Sequence, residues 1–184
     1  MLLGILNSQA AGGGAGAYDL LETTTLGSSA SSVTFSGLGS YSDYAHLQIR
    51  AVARGDAGSS YGWQWLEMKP NSTNVARFHE IRGMGGSVTS GVDTNNFTFP
   101  ITGADQDANN FGTGVIDILD FLNTSKNTTI RSLGGSTDAD RPVVVFSSSL
   151  YNATTAVTTL EFTCQNGGNL VSGSRFSLYG IKGA

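Results

Sequence analysis

The stretch "HLQIRAVAR", residues 46 to 54, sets the terms for the rest of the chain. Leu47, Ile49, Ala51 and Ala53 are apolar and fall on every second position, while His46, Gln48, Arg50 and Arg54 occupy positions between and beyond them. Successive side chains of a strand point to opposite faces, so this period of two fits a strand with one face buried and one face wet, as in an antiparallel sheet. Comparable short runs recur near 18–26, 31–38, 61–69, 75–83, 114–122, 128–133, 142–151, 156–164 and 175–182, each bounded by Gly, Ser, Asn or Asp clusters. Many such strands with few helices bury their apolar faces as a sandwich or barrel. The expected fold is all-β, an antiparallel two-sheet sandwich of jelly-roll type.

Composition agrees and narrows the function classes. Charged residues make up only 13% of 184 residues and Gly contributes 25, a mixture that favours strands and turns over long helices. The net charge of -4 and ten scattered Lys and Arg argue against a nucleic-acid partner, which needs clustered positive charge. The single Cys164 rules out an internal disulfide. In "LEFTC" it shares a strand face with Leu160 and Phe162, the setting of a buried small hydrophobe rather than a nucleophile.

The opening "MLLGILNSQA" lacks a basic leader, and its apolar run is too short for a membrane span, so neither export nor a membrane partner is expected. "AAGGGAGA", residues 10 to 17, is costly to order and reads as a hinge. The chain therefore divides into an apolar, glycine-rich arm, residues 1–17, and a sandwich domain, residues 18–184. Leu2, Leu3, Ile5 and Leu6 of the arm either insert into a groove on a partner or pack back on their own domain.

Two segments depart from simple alternation. "GVIDILDFL" carries apolar residues on both faces, which suits the middle of a sheet, with a short helix as the alternative. As strand residues Asp117 and Asp120 fall on opposite faces; they form no carboxylate pair, one being solvated and the other neutralised by an arginine such as Arg50 or Arg131. Residues 84–113 read as a long polar loop with one brief strand at Phe97 to Ile101, and loops of that length are usually functional or in contact with a partner.

No reactive centre emerges. "DQDANN" opens like a calcium loop at Asp105, Asp107 and Asn109, but Asn110 stands where the turn needs Gly and Ile116 where the closing ligand should be Glu. His46 and His79 lack the neighbouring ligands of a sheet-borne metal site, and no G-x-S-x-G elbow is present. The reading is no enzyme, no catalytic residue, no metal and no cofactor. "YGWQW" is the one distinctive side-chain cluster. Tyr61, Trp63 and Trp65 share a face, which suits core or subunit interface first and a glycan contact second.

The segments "AYDLLETTTLGSSASSVTFSGL", "YAHLQIRAVAR", "GTGVIDILDFLNTSKNTTIRSLGG" and "GSRFSLYGIKG" together resemble a family of small structural proteins of tailed bacteriophages. The resemblance runs from Tyr18 across nearly the whole chain, and departs in the middle at "RFHEIRG" and the loop after it. It implies a virion component, a capsid decoration or cement protein on the capsid exterior, with the major capsid protein and copies of itself as partners. A homotrimer is expected by analogy of fold. The alternative is a tail or fibre adsorption module that binds a host-surface glycan.

Overall fold

A computed structural model describes residues 17–59, 61–75, 77–137 and 142–183. The expected arm, with Leu2, Leu3, Ile5 and Leu6, lies outside these residues. The described chain forms twelve strands. They are β1 (Tyr18–Thr25), β2 (Ser32–Phe35), β3 (His46–Ala53), β4 (Trp63–Pro70), β5 (Arg77–Met84), β6 (Ser87–Asp93), β7 (Phe97–Thr102), β8 (Gly112–Leu119), β9 (Thr128–Ser136), β10 (Val143–Tyr151), β11 (Leu160–Cys164) and β12 (Arg175–Ile181).

Eight strands form one antiparallel sheet in the order β1-β12-β3-β8-β9-β10-β5-β6, and four form a second in the order β2-β11-β4-β7. The two-sheet antiparallel sandwich read from the sequence is present; eight strands against four does not establish jelly-roll winding. The alternation of β3 works as expected: Leu47, Ile49, Ala51 and Ala53 are all buried, and Arg50 on the opposite face is exposed. β8 is a strand rather than a helix and lies inside the large sheet between β3 and β9, with Ile116 and Ile118 buried in the core and Val115 and Leu119 half-buried on the outer face. β12 is paired on both sides, by β1 and β3, and buries Phe176 and Leu178 completely.

The long polar loop expected at 84–113 is corrected. Met84 ends β5, Gly85 and Gly86 turn with positive φ of 55° and 83°, and Ser87–Asp93 returns as β6, the edge strand of the large sheet. Such backbone angles favour glycine. The strand was illegible because an edge strand exposed on both faces has no buried face to impose alternation.

The main core lies between the sheets. It joins Val33 and Phe35 of β2, Leu66 and Met68 of β4, Phe99 and Ile101 of β7, and Leu160 and Phe162 of β11 to the inward residues of β3, β8, β9 and β12. Phe99 joins the two sheets through a slot that two glycines leave open. It packs on Gly114 and Gly134, which are cross-strand partners on β8 and β9, and a Cβ added to either glycine would lie 2.6 Å from the ring.

Candidate functional site

A second, smaller cluster lies on the face of β4 opposite Leu66 and Met68, where β5 and β10 pack against it: Trp63, Trp65, Phe78, Val143 and Val145, with Met84 and Phe97 packed against them. Tyr61 stacks on Trp63 at 5.5 Å and 27°, and Trp63 meets Trp65 edge-on at 5.5 Å. Trp65 in turn stacks on Phe97 at 4.8 Å and 6° and meets Phe78 edge-on at 5.6 Å. The shared face expected of Tyr61, Trp63 and Trp65 is real, but their exposures differ widely: Tyr61 is 51% exposed, the two tryptophans 6% each. Trp65, enclosed between Phe97 and Phe78, is a core residue rather than a surface contact.

Local backbone chemistry places Tyr61 over Trp63. Gly62 between them has φ of +74°, and a Cβ there would meet the Gln106 amide nitrogen at 1.7 Å, so a side chain is excluded twice over. Gln106 belongs to the "DQDANN" loop, and what orders that loop is a guanidinium. Arg54 donates through Nη1 to the carbonyls of Asp107 (2.6 Å) and Asn110 (3.0 Å), and through Nη2 to those of Gln106 (2.7 Å) and Ala104 (3.4 Å). Asp105 accepts from the Ser59 backbone N–H at 2.5 Å, which ties this loop to the segment leading into Tyr61. The residues that began like a calcium loop thus converge their carbonyls on Arg54. No group of three or more potential metal-ligating side chains occurs among the described residues.

Two adjoining clefts open on the aromatic cluster. One, of about 340 Å³, is lined by Tyr61, Trp63, Trp65 and Arg82 together with Ser59, Gln165 and neighbouring residues. The other, of about 220 Å³, is lined by Trp65, Phe78, Glu80, Arg82, Asp93 and Phe97 among others. Trp65 and Arg82 border both. Glu80 is only 7% exposed, and its Oε1 is 3.7 Å from Arg82 Nη2, an ion pair too long for a hydrogen bond. Burial pushes the Glu80 carboxyl above the ordinary glutamate range, against the opposing pull of the Arg82 charge. Trp63 Nε1, Glu80 Oε2 and Arg82 Nε are all buried and have no hydrogen-bond partner among the described residues.

Glu80 and Arg82 escaped the sequence reading, although a signal was there. In "RFHEIRG" Phe78, Glu80 and Arg82 alternate on one face, so burying Phe78 drags both charges inward with it. The histidines take no part in this cleft: Nδ1 of His46 accepts from the Asp120 backbone N–H at 2.9 Å, and His79 is exposed on the outer side of β5.

The outer face of the large sheet is the other surface of note. Its half around β3, β8 and β12 is polar and internally satisfied: Arg50 donates to Gln48 (2.9 Å), Gln48 to Asp117 (2.8 Å) and Arg131 to Asp117 (2.9 Å), while Arg50 lies 4.4 Å from the Tyr179 ring centre. Asp117 is therefore the aspartate neutralised by an arginine, Arg131, and Asp120, expected to be solvated, pairs instead with Lys126. The other half is apolar. Leu133 of β9, Phe146 of β10 and Ile81 of β5 are direct cross-strand neighbours, flanked by Val144, Val88 and Val92, and each is at least half exposed.

Cys164 is buried, donates to Gln64 Oε1 at 2.7 Å, and has its thiol pushed up to about 12 by burial. That is the small-hydrophobe role read from "LEFTC", and an unreactive thiol.

No family model matches the chain, and no curated protein and no solved structure matches it. No helix among the described residues is long and apolar enough to cross a membrane.

Proposed function

We propose that this chain is a non-enzymatic structural protein of a tailed-bacteriophage virion, a decoration or cement protein that bridges capsid subunits on the head exterior. The observation that carries the proposal is the apolar half of the large sheet's outer face. Leu133, Phe146, Ile81, Val144, Val88 and Val92 form one contiguous surface on four neighbouring strands. Contiguous apolar surface of this kind marks a site that another protein covers. β6 adds a seven-residue edge free of Pro and Lys, the two residues that most often blunt such edges. The resemblance of the sequence to phage structural proteins supplies the occupant, the major capsid protein. Self-association, as a homotrimer in this reading, would use an edge strand of the large sheet, β1 or β6, because β12 is already paired on both sides.

The test is co-sedimentation with purified heads. Wild-type chain should saturate the particles, and the double variant Phe146→Glu/Ile81→Glu should bind about tenfold or more weakly, as buried unpaired charge would at an interface core. Circular dichroism of the variant should be unchanged, since both side chains face outward. Equal occupancy by the folded variant would remove this face from the proposal.

A further inference from the structure

The aromatic cluster has the features of a ligand site, and the argument begins with what is left unsatisfied there. Buried polar groups are nearly always hydrogen-bonded, and an orphaned one costs about 1–3 kcal/mol. Three orphans belong to residues that line these adjoining clefts, each atom buried just behind the cleft wall: the Trp63 indole N–H, the Arg82 Nε–H and the Glu80 Oε2. Two are donors and one is an acceptor. Beside them stands Tyr61, half exposed, its ring held against Trp63 by a turn that only Gly62 can make.

A pyranose matches that inventory. Its C–H face packs on an aromatic ring, and its hydroxyls each donate and accept, so adjacent hydroxyls can serve a guanidinium and a carboxylate together. The charge balance selects among sugars. Arg82 and Glu80 offset one another, and Asp93 on the Glu80 side adds a further negative charge that disfavours an anionic ligand. An apolar ligand would leave the three orphans unanswered. We infer that the two adjoining clefts together bind a neutral saccharide, one ring stacked on Tyr61 in the cleft it shares with Trp63 and Arg82, and the hydroxyls of that ring and its neighbour bonded to Arg82, to Glu80 in the second cleft and to the Trp63 indole as these buried groups adjust to the ligand. The adjoining compartment beyond Arg82 gives room for a second residue of the same glycan. The cleft that holds Tyr61 uses neither the outer sheet face nor β6, whereas the adjoining compartment is bounded by Gly91, Val92 and Asp93 of β6.

The two tryptophans of the chain both line this cleft, so intrinsic fluorescence reports on it directly. The isolated protein is titrated with trisaccharides of glucose, galactose, mannose and N-acetylglucosamine, each to about 10 mM, the weak end of useful affinity. The expected result is a saturable change with at least one of the four. Tyr61→Ala and Glu80→Gln should each weaken it about tenfold or more, the scale of one lost aromatic platform or one charged hydrogen bond. Tyr179→Ala, an aromatic change on the outer sheet face, should leave it unaltered. Absence of a saturable change with all four sugars overturns the inference, as does binding that survives both cleft substitutions. Neither result bears on co-sedimentation with heads, so the two proposals fail separately.

Discussion

The two apolar clusters that flank β4 are built from different materials. The main core is largely aliphatic, with phenylalanines interleaved; both sheets line it, and most of the polar side chains at its border find partners, Gln64 Nε2 and Thr128 Oγ1 being exceptions. Thr102 and Ser136 share a hydrogen bond of 2.7 Å, and Ser132 donates to the Thr98 carbonyl at 2.7 Å. The second cluster is aromatic, opens on two clefts, and borders three buried polar atoms without partners. One region spends its chemistry on holding the sheets together, whereas the other keeps hydrogen-bonding capacity in reserve. Three of the five unpartnered buried polar atoms among the described residues belong to side chains at this cluster, the other two being Gln64 Nε2 and Thr128 Oγ1, and that concentration directs attention to it.

The largest test of that contrast is Phe99→Ala, which empties the slot over Gly114 and Gly134. Denaturant unfolding should show a loss of about 3–5 kcal/mol, the range for deleting a fully buried phenylalanine. A loss below about 1 kcal/mol would mean that the sheets are not held where Phe99 joins them. Of similar size in free energy is the suppression of Cys164. With its pKa raised from 9.0 to about 12, its reaction with iodoacetamide at pH 8 should run about a thousandfold slower than that of an open thiol, and reach normal speed in denaturant. Rapid native labelling would show that this part of the core opens.

Gly134→Ala comes next. Its Cβ would lie 2.6 Å from the Phe99 ring and 2.7 Å from the Thr113 carbonyl, contacts that require the strands to part, and overpacking of this kind costs about 1–3 kcal/mol. The smallest effect belongs to the aromatic cluster and has the opposite sign. Because the folded state raises the Glu80 pKa, the fold keeps a proton that the unfolded chain loses, and stability falls as pH climbs from the ordinary glutamate range through the raised value. Glu80→Gln removes that penalty. Its melting temperature should exceed that of wild type at pH 7, with the difference shrinking toward pH 4. A variant less stable than wild type at pH 7 would place the Glu80–Arg82 pair among the stabilising elements of the fold and erase the contrast.

How much of this the sequence displayed depended on whether burial imposed a period. β3, β10 and β12 were plain, since each alternates against a filled interior. β9 was read short, to 133 rather than Ser136, because glycine has poor strand propensity. Gly134 and Gly135 are there for close approach, a Cβ on the latter meeting the Val143 carbonyl at 2.1 Å. The run at 156–164 was read long: residues before Leu160 are held not by a strand partner but by Asn71, whose Oδ1 accepts from the backbone N–H groups of Thr158 (2.8 Å) and Thr159 (3.1 Å). Of the site, the common face of Tyr61, Trp63 and Trp65 was visible as parity. Which of the three meets solvent was not, because that depends on β5 and β6 folding over Trp65. Glu80 and Arg82 share an alternating face with Phe78, yet alternation alone does not say that a charged face turns inward.

The proposed capsid role is tested most directly by cryo-electron microscopy of tailed-phage particles purified from cells that express this chain. The account predicts the twelve-strand sandwich seated on the head shell, with Leu133, Phe146, Ile81 and Val92 covered by a neighbouring protein. A particle that lacks the chain, or one that carries it with those four side chains open to solvent, would contradict it.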